Sequence, residues 1–509
     1  MSQLHESLLE RLASFGSFRA LVVGDFMLDQ VLAGAAERLS PDAPVPVIAA
    51  DESEMKSMPG GASNVAACLA ALGARVRCAG VRGDDASGEL LAKLLNESGC
   101  DSSLVVVEGG RPTTVKRSIV GLAQHRHPQK MFRLDFETRA PIRAETEEAL
   151  LRAIERVLPE VEVVCLEDYD KGVCTETLCQ RLITLCRRVG RCVLVDPAAL
   201  RDFSRYRGAT LITPNRTEAE LATGLAMPRD FKVESARSLA HRLLEALELD
   251  AVVLTLDRHG ALLAERGRDA MHIPTVARTV YDVTGAGDMV LAALAAAKAH
   301  SLPWPEAVAF ANAAAGLEVE VFGARPIPLS RIRRSVHALA RGRPGKVRTL
   351  DEMAEEAAIL REDGSRIVLT NGCFDLLHAG HLAALRGARS LGDSLVVGVN
   401  RDEEVRRMKG PGRPVVPLAE RLEMLEALEC VDFVVPFAEP TAEALLRRIR
   451  PDVYAKGGDY RAEELNEWPV LRELGIPVEL VAEKTGWSTT TLIERISGAI
   501  ESEKVRHRA

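Results

Sequence analysis

"VYDVTGAGDMVLAALAAAKAH", residues 280–300, sets Gly285, Ala286 and Gly287 directly against a strongly helical, alanine-rich run. Small residues let backbone N–H groups approach a ligand closely, and a helix N-terminus adds partial positive charge. The stretch therefore predicts an anion hole. Asp288 stands at the same end, and two readings of it are open on spacing alone. It is a base beside the anion hole that takes the proton of a phosphoryl acceptor, or a first-turn carboxylate matched to the helix dipole.

Upstream of this helix, short β-branched runs alternate with helical patterns. "RALVVG" (19–24), "VEVVCLE" (161–167), "RCVLVD" (191–196), "ATLIT" (209–213) and "AVVLTL" (251–256) predict buried strands. "ASNVAACLAALG" and "TETLCQRLITLCRRVG" between them have helical periodicity and end in glycine. Strands alternating with helices predict parallel pairing and an α/β fold. "RIRRSVHALARGRPGKVR" (331–348), with seven Lys or Arg and a Gly-Arg-Pro-Gly turn, interrupts the pattern. It reads as a helix end running into a solvated linker, with nucleic-acid binding as the lesser alternative. Alternation then restarts with "RIVLTN", "SLVVGVN", "VDFVV", "DVYAK" and "PVELV". The boundaries this predicts are a first domain over 1–335, a basic linker over 336–348 and a second domain over 349–509.

Length agrees, since 509 residues exceed one ordinary core of about 100–200. A net charge of −8 argues against nucleic acid as the main partner. No stretch of 18 or more apolar residues predicts a membrane span. The N-terminus mixes acids and bases, unlike a secretory signal, and reads as an amphipathic helix with Leu4, Leu8, Leu9 and Leu12 on one face. The ten cysteines include no C-x-x-C pair, and Cys179 and Cys186 have core spacing on a helix. Reduced, buried thiols in a cytoplasmic protein are the expectation.

In the second domain, "TNGCFDLLHAGH" (370–381) ends a strand in a turn and sets His378 and His381 three apart. On a helix these share a face. No acidic or cysteine ligand set lies near them in sequence, which disfavours zinc.

These pieces resemble known families. The G-A-G-D loop, with Asp282 six residues before its aspartate, resembles the ribokinase (PfkB-type) carbohydrate kinases. So do "PGGASNVA" with Gly60, Gly61 and Asn64, "GDFMLD" with Asp25 and Asp29, and "TPNRTEAE" with Asn215 and Glu218. The resemblance implies a three-layer α/β domain in which Asp288 is the base and Gly285, Ala286 and Gly287 form the anion hole. It places Asn215, Arg216, Thr217, Glu218 and Asp282 near ATP, with Glu218 also near magnesium. "RLSPDAPVPV", "RLDFE", "DYDKG", "RYRGATLITPN" and "FANAAAG" are similar to the heptose-phosphate kinase branch. That likeness adds Arg133 and Lys171 to Asp25, Asp29, Gly60, Gly61 and Asn64 as sugar contacts. For Arg133, an ion pair with Asp135 or Glu137 is an equal alternative.

H-x-G-H with its preceding "GCFDLLH" is similar to the cytidylyltransferase-like nucleotidyltransferases, of smaller Rossmann-like fold. The likeness implies that His378 and His381 donate to the α-phosphate during in-line attack. It implies nucleotide contacts from Asn371, Gly372, Phe374, Asp375, Gly380, Lys409, Lys456, Gly457, Ser488, Thr489 and Thr490. For Lys409 a surface loop, and for Ser488 a plain helix cap, are the local alternatives. "AKGGDY" (455–460) points to the heptose-phosphate adenylyltransferase branch.

Together the likenesses imply ATP-dependent phosphorylation of heptose 7-phosphate at C1, and adenylyl transfer from ATP to heptose 1-phosphate. Both need Mg2+, a separate phosphatase must act between them, and a homodimer is implied by family alone. Glu167, Asp170, Met289 and 323–325 depart from the kinase pattern and bear on sugar choice. Another sugar phosphate, CTP in the second domain, or a non-enzymatic sugar-phosphate sensor or scaffold are the rival readings.

Overall fold

The computed structural model describes residues 2–12, 14–122, 129–228, 230–275, 284–320, 323, 325–340, 345–362, 364–458 and 461–481. The chain forms two compact units, Met1–Arg341 and Gly342–Ala509. Within the span read as a linker, residues up to Ala340 complete the helix Leu329–Ala340 of the first unit. Arg348 donates its backbone N–H to Val434 in the second.

The first unit is built on β1 (Phe18–Gly24), β2 (Phe26–Leu39), β3 (Pro46–Ala50), β4 (Lys56–Gly61), β5 (Ala74–Arg82), β6 (Asp101–Val107) and β7 (Thr114–Leu122). It continues with β8 (Gln129–Phe136), β9 (Val163–Glu167), β10 (Cys192–Asp196), β11 (Leu211–Ile212), β12 (Ala251–Thr255), β13 (Ala261–Glu265) and β14 (Met271–Ile273). Nine of these make one sheet in the order β14-β13-β12-β11-β10-β9-β1-β5-β6, parallel except at β13 and β14.

Period-two alternation divides each central strand between two cores. On β1, Ala20 and Val22 pack into one, and Leu21 and Val23 into the other. The first core is covered by the helices Ala62–Ala71, Ala286–Ala299 and Trp304–Glu318, with Leu8 and Leu12 of Ser2–Leu12 buried against it. The second is covered by Ala144–Val157, Glu176–Arg188 and Val233–Ala246, where Cys179 and Cys186 are buried. This is the three-layer arrangement expected. All ten cysteines are free thiols.

A smaller sheet, β3-β2-β7-β8, stands apart from the large one, with β3 and β4 pairing to opposite halves of β2. β8 is exposed throughout and β2 and β7 mix buried, half-buried and exposed positions, so their sequences lack the long apolar runs that mark the large sheet.

The second unit holds β15 (Ile367–Gly372), β16 (Ser394–Asn400), β17 (Phe433–Phe437), β18 (Val453–Gly457) and β19 (Val478–Val481). All are parallel, in the order β17-β16-β15-β18-β19. Ile367 and Leu369 face one core and Val368 the other. The order reverses between β15 and β18, and in such sheets ligands bind in the crevice beyond the strand ends at that point. Asn371, Gly372, Lys456 and Gly457 end these two strands.

Candidate active sites

In the first unit, the C-terminal ends of β1, β9 and β10 deliver Asp25, Glu167, Asp168 and Asp196, and the glycine loop delivers Asp288. Gly285 is left-handed (φ 92°) and caps the helix Ala286–Ala299. At Gly287, a Cβ would stand 3.5 Å from Asp196 Oδ2. Asp288 is buried in the first turn. Asn64 Nδ2 donates to its Oδ2 at 2.7 Å and Tyr169 Oη to its Oδ1 at 3.0 Å. Burial pushes the Asp288 carboxyl up to about 6, with Asp29 adding to the rise and the two donors opposing it. Such a group is ionised at neutral pH yet avid for a proton, which suits a base. A dipole-matching carboxylate in solvent would have neither burial nor two donors.

Asp29 on β2 is also raised by burial, against the charges of Lys116, Arg133 and Lys130. Gly60 makes room for it, since a Cβ there would lie 2.7 Å from the Asp29 carboxyl carbon. Lys116 on β7 stands over the Tyr169 ring at 3.9 Å, and its charge acts on both Asp29 and Asp288. Lys116 and Tyr169 were not singled out by sequence. Tyr169 lies inside the quoted "DYDKG", but a tyrosine there carries no signal of its own.

Asp25, expected as a sugar contact, is buried and accepts three backbone N–H groups. Its Oδ2 accepts the backbone N–H of Tyr169 at 2.8 Å and Lys171 at 3.0 Å, and its Oδ1 that of Val173 at 3.2 Å. The carboxylate thus anchors the loop that carries Tyr169. Lys171 Nζ pairs with Glu137 at 2.9 Å, and Arg133 forms a two-pronged pair with Asp135. The ion-pair alternative for Arg133 is the arrangement present.

Asn215 and Glu218 form a capping box at the helix Arg216–Thr223. Asn215 Oδ1 accepts from the Glu218 N–H at 3.0 Å, and Glu218 Oε2 from the Asn215 N–H at 2.8 Å. Arg216 turns to Glu220 and the Met227 carbonyl, and Thr217 is exposed. After burial, Glu218 is the chief charge raising Asp196, so the two carboxylates are close. Oxygen donors of this kind suit a hard cation such as magnesium. Asp282 lies outside the described residues.

In the second unit, β15 runs into a turn and then the helix Ala379–Arg389. His378 is the N-cap, its Nδ1 accepting from the His381 N–H at 3.4 Å. The two rings stack at 3.9 Å. Burial pushes the His381 imidazole down to about 4, helped by His378 and then Lys409. Lys409 is itself exposed at the end of the helix Asp402–Lys409. Phe374, left-handed at φ 47°, lays its ring 5.3 Å from that of His381. The ring comes so near Gly372 that a Cβ there would sit 3.1 Å away. Gly380 is buried in the first helical turn. Asn371 Oδ1 accepts from Lys456 Nζ at 3.0 Å and from Tyr454 Oη.

Asp375, expected against the nucleotide, clasps the Gly/Pro loop. It accepts the N–H of Val415 at 2.6 Å and Val416 at 3.1 Å and pairs with Arg413. Arg421, unmarked in sequence, is fully buried. It donates to the carbonyls of Asn400 at 2.9 Å and Val416 at 3.0 Å, to that of Cys373, and to Asp402 at 2.6 Å. It thereby ties the ends of β15 and β16 to that loop. Ser488, Thr489 and Thr490 lie outside the described residues.

Comparison with known proteins covers both units. Residues 19–330 match the pfkB family carbohydrate kinases, and residues 369–508 the cytidylyltransferase-like proteins. The chain is 41% identical to the bifunctional protein HldE of Citrifermentans bemidjiense, over 96% of this chain and 98% of that one. It is 42% identical to that of Geobacter sulfurreducens over the same shares. Its first unit is similar in fold to the phosphofructokinase-2 of Escherichia coli (TM-score 0.52, 19% identity, 64% of this chain and 100% of that one). No helix among the described residues is long and apolar enough to cross a membrane.

Proposed function

The chain belongs to the pfkB carbohydrate kinases through its first unit and to the bifunctional HldE proteins over its length, and from this we propose that it carries out two successive transfers towards ADP-heptose. It is a sugar kinase and a nucleotidyltransferase on one polypeptide. The observation that carries the kinase reading is Asp288, buried beside a glycine-capped helix start and oriented by Asn64 and Tyr169.

In the first transfer, the C1 hydroxyl of heptose 7-phosphate gives its proton to Asp288 as its oxygen bonds to the γ-phosphorus of ATP. The bond to ADP breaks, and the backbone at Gly285, Ala286 and Gly287 receives the charge. Asp29, with Gly60 leaving it space, and Lys116 line the acceptor side, while Asp25 holds the Tyr169 loop. Magnesium accompanies the nucleotide and neutralises its phosphates, and Asp196 and Glu218 would face it.

In the second transfer, a phosphate oxygen of heptose 1-phosphate attacks the α-phosphorus of ATP and pyrophosphate leaves. His378, His381 and Lys456 stabilise the charge that develops, and Phe374 and Gly372 shape the crevice. The first product carries two phosphates and the second substrate one, so a phosphatase acts between them.

We place the chain in the cytoplasm and, as a homodimer, across the small sheet. Phe132, Leu134 and Phe136 fall on one face of β8, and all three are exposed. Light scattering of the chain with all three changed to serine tests this, and a mass unchanged from the parent dimer would refute it.

The reaction test supplies Mg-ATP with heptose 7-phosphate in one tube and heptose 1-phosphate in another, read by mass spectrometry. Bisphosphate with ADP, and ADP-heptose with pyrophosphate, are the expected products. Turnover in the second tube only with CTP would reassign the nucleotide.

A further inference from the structure

At the reversal point of the second sheet, β15 and β18 end in a polar cluster. Asn371 follows Ile367 and Leu369 in phase on β15, and Lys456 follows Tyr454 by two on β18, so all three side chains belong to one face. The helix Ala379–Arg389, which His378 caps, packs Leu385 and Ala388 on the other face. The cluster and the histidines therefore approach the crevice from opposite sides of the sheet.

Tyr454 is fully buried. Its Oη donates to Asn371 Oδ1 at 2.5 Å. Lys456 Nζ donates to the same oxygen at 3.0 Å and to Tyr454 Oη at 3.4 Å. Both neighbours of the amide are donors, so its oxygen must face them and Nδ2 must turn away with its two N–H groups. An ammonium has three N–H groups, and Lys456 spends two here. One N–H of Lys456 and two of Asn371 are thus unspent among the described residues, and one phenol fixes their directions.

The charge is arranged as well. Glu467 precedes the helix Trp468–Leu474 and is buried, its Oε1 accepting the Ala442 N–H at 3.4 Å. Burial lowers the Lys456 ammonium, and Glu467 and then Cys373 oppose that fall. Burial and then Glu467 push the Tyr454 phenol well up, so its hydroxyl keeps the proton. Glu467, Cys373 and Tyr454 are the titratable groups that face Lys456, while Lys409, Arg421 and Asp375 act on Cys373.

We propose that Tyr454 is a positioning residue for nucleotidyl transfer, locking Asn371 and Lys456 so that their unspent N–H groups meet oxygens of the transferring phosphate opposite His378 and His381. The inference rests on the adenylyl-transfer reading of this unit. A phenyl ring would fill nearly the same volume, but it would remove one of the two donors that orient the amide and leave the ammonium short of an acceptor. Glu467 keeps that ammonium charged in a place where burial favours the neutral amine.

The first test needs no turnover. Acetic anhydride acylates only the neutral amine, so the pH dependence of Lys456 acylation on the intact chain, read by peptide mass spectrometry, reports its titration. Tyr454→Phe and Glu467→Gln should each move the midpoint to lower pH, and Mg-ATP should protect Lys456 in the parent. In turnover, Tyr454→Phe should lower the kcat of adenylyl transfer by about 10–100-fold, with the KM for ATP changed far less. Its alkaline limb should begin at lower pH, since a lysine required in its charged form is lost sooner. Kinase kcat in the same sample is the control. If Tyr454→Phe melts early, Glu467→Gln decides through the same midpoint and the same limb. Unmoved midpoints, or a fall in kcat with an unmoved limb, would overturn the proposal and leave Tyr454 a packing residue. A parent that makes no ADP-heptose would refute the adenylyl-transfer reading, while the acylation still decides whether Tyr454 governs Lys456.

Discussion

The two units solve opposite electrostatic problems with the same tool. The first buries carboxylates until they want a proton, and Asp288 and Asp25 both rise to about 6. The second buries imidazole until it refuses one, and His381 falls to about 4. Desolvation disfavours whichever form is charged, so the same burial makes a proton acceptor of an acid and a neutral ring of a base. Construction differs as well. Asp25, Asn64, Tyr169, Asp196 and Asp288 reach one place from five separate parts of the chain. Residues 370–381 build most of the second site alone, and distant Arg421 and the Asp375 clasp merely hold it in shape.

If the sites are independent, crippling one must spare the other. Asp288→Asn should lower sugar phosphorylation by about 10²–10⁴-fold while pyrophosphate release by the second unit stays unchanged. Retained ADP formation would remove the base assignment. The mirror experiment is His381→Ala, expected to slow adenylyl transfer by about 10²–10³-fold with kinase kcat intact. Equal loss of both activities would mean the units are not separable in function.

Arg421→Met tests construction rather than chemistry. It strands Asp402 and three carbonyls, so the second unit should lose about 3 kcal/mol or more, seen as an earlier melting step and loss of adenylyl transfer. Kinase activity in the same sample is the control.

The smallest effect is in the pH profile. With free magnesium kept low, kinase kcat/KM should fall as pH drops through about 6, where Asp288 takes up its proton. Tyr169→Phe deletes a hydrogen bond that favours the carboxylate, so the fall should begin at higher pH. An unmoved profile would assign the limb to another group.

The strands of both large sheets were legible because burial on two faces turns them into uninterrupted apolar runs. The small sheet was not, because β2, β7 and β8 mix polar, apolar and exposed positions, so that pieces of β2, β3, β4 and β8 stand out only as motifs and not as strands. Among candidate site residues, Asp288, His378 and His381 stand out locally because glycine and helix starts mark them, while Asn64 and the role of Asp288 rest on the family resemblance. Asp196 had a usable sign, a carboxylate at the end of a buried parallel strand. Lys116, Tyr169 and Arg421 had none, since each matters only through a neighbour the fold brings from elsewhere. For Asp25 and Asp375, sequence shows a carboxylate beside a site but not the N–H groups it accepts.

The junction between the two sheets of the first unit has a mechanical consequence. Only Asp25 separates β1 from β2, and β4 passes at Gly61 straight into the helix Ala62–Ala71. The Ala62 N–H donates to the Asp25 carbonyl at 3.2 Å, stitching the two crossings together. That leaves little slack for sliding at this junction, so a swing of the small sheet would pivot near Asp25 and Gly61. Asp29 lies one turn of the lever beyond the pivot, while Asn64 and Asp288 lie on its fixed side. If a sugar binds between them, such a rotation would carry the acceptor-side carboxylate towards it.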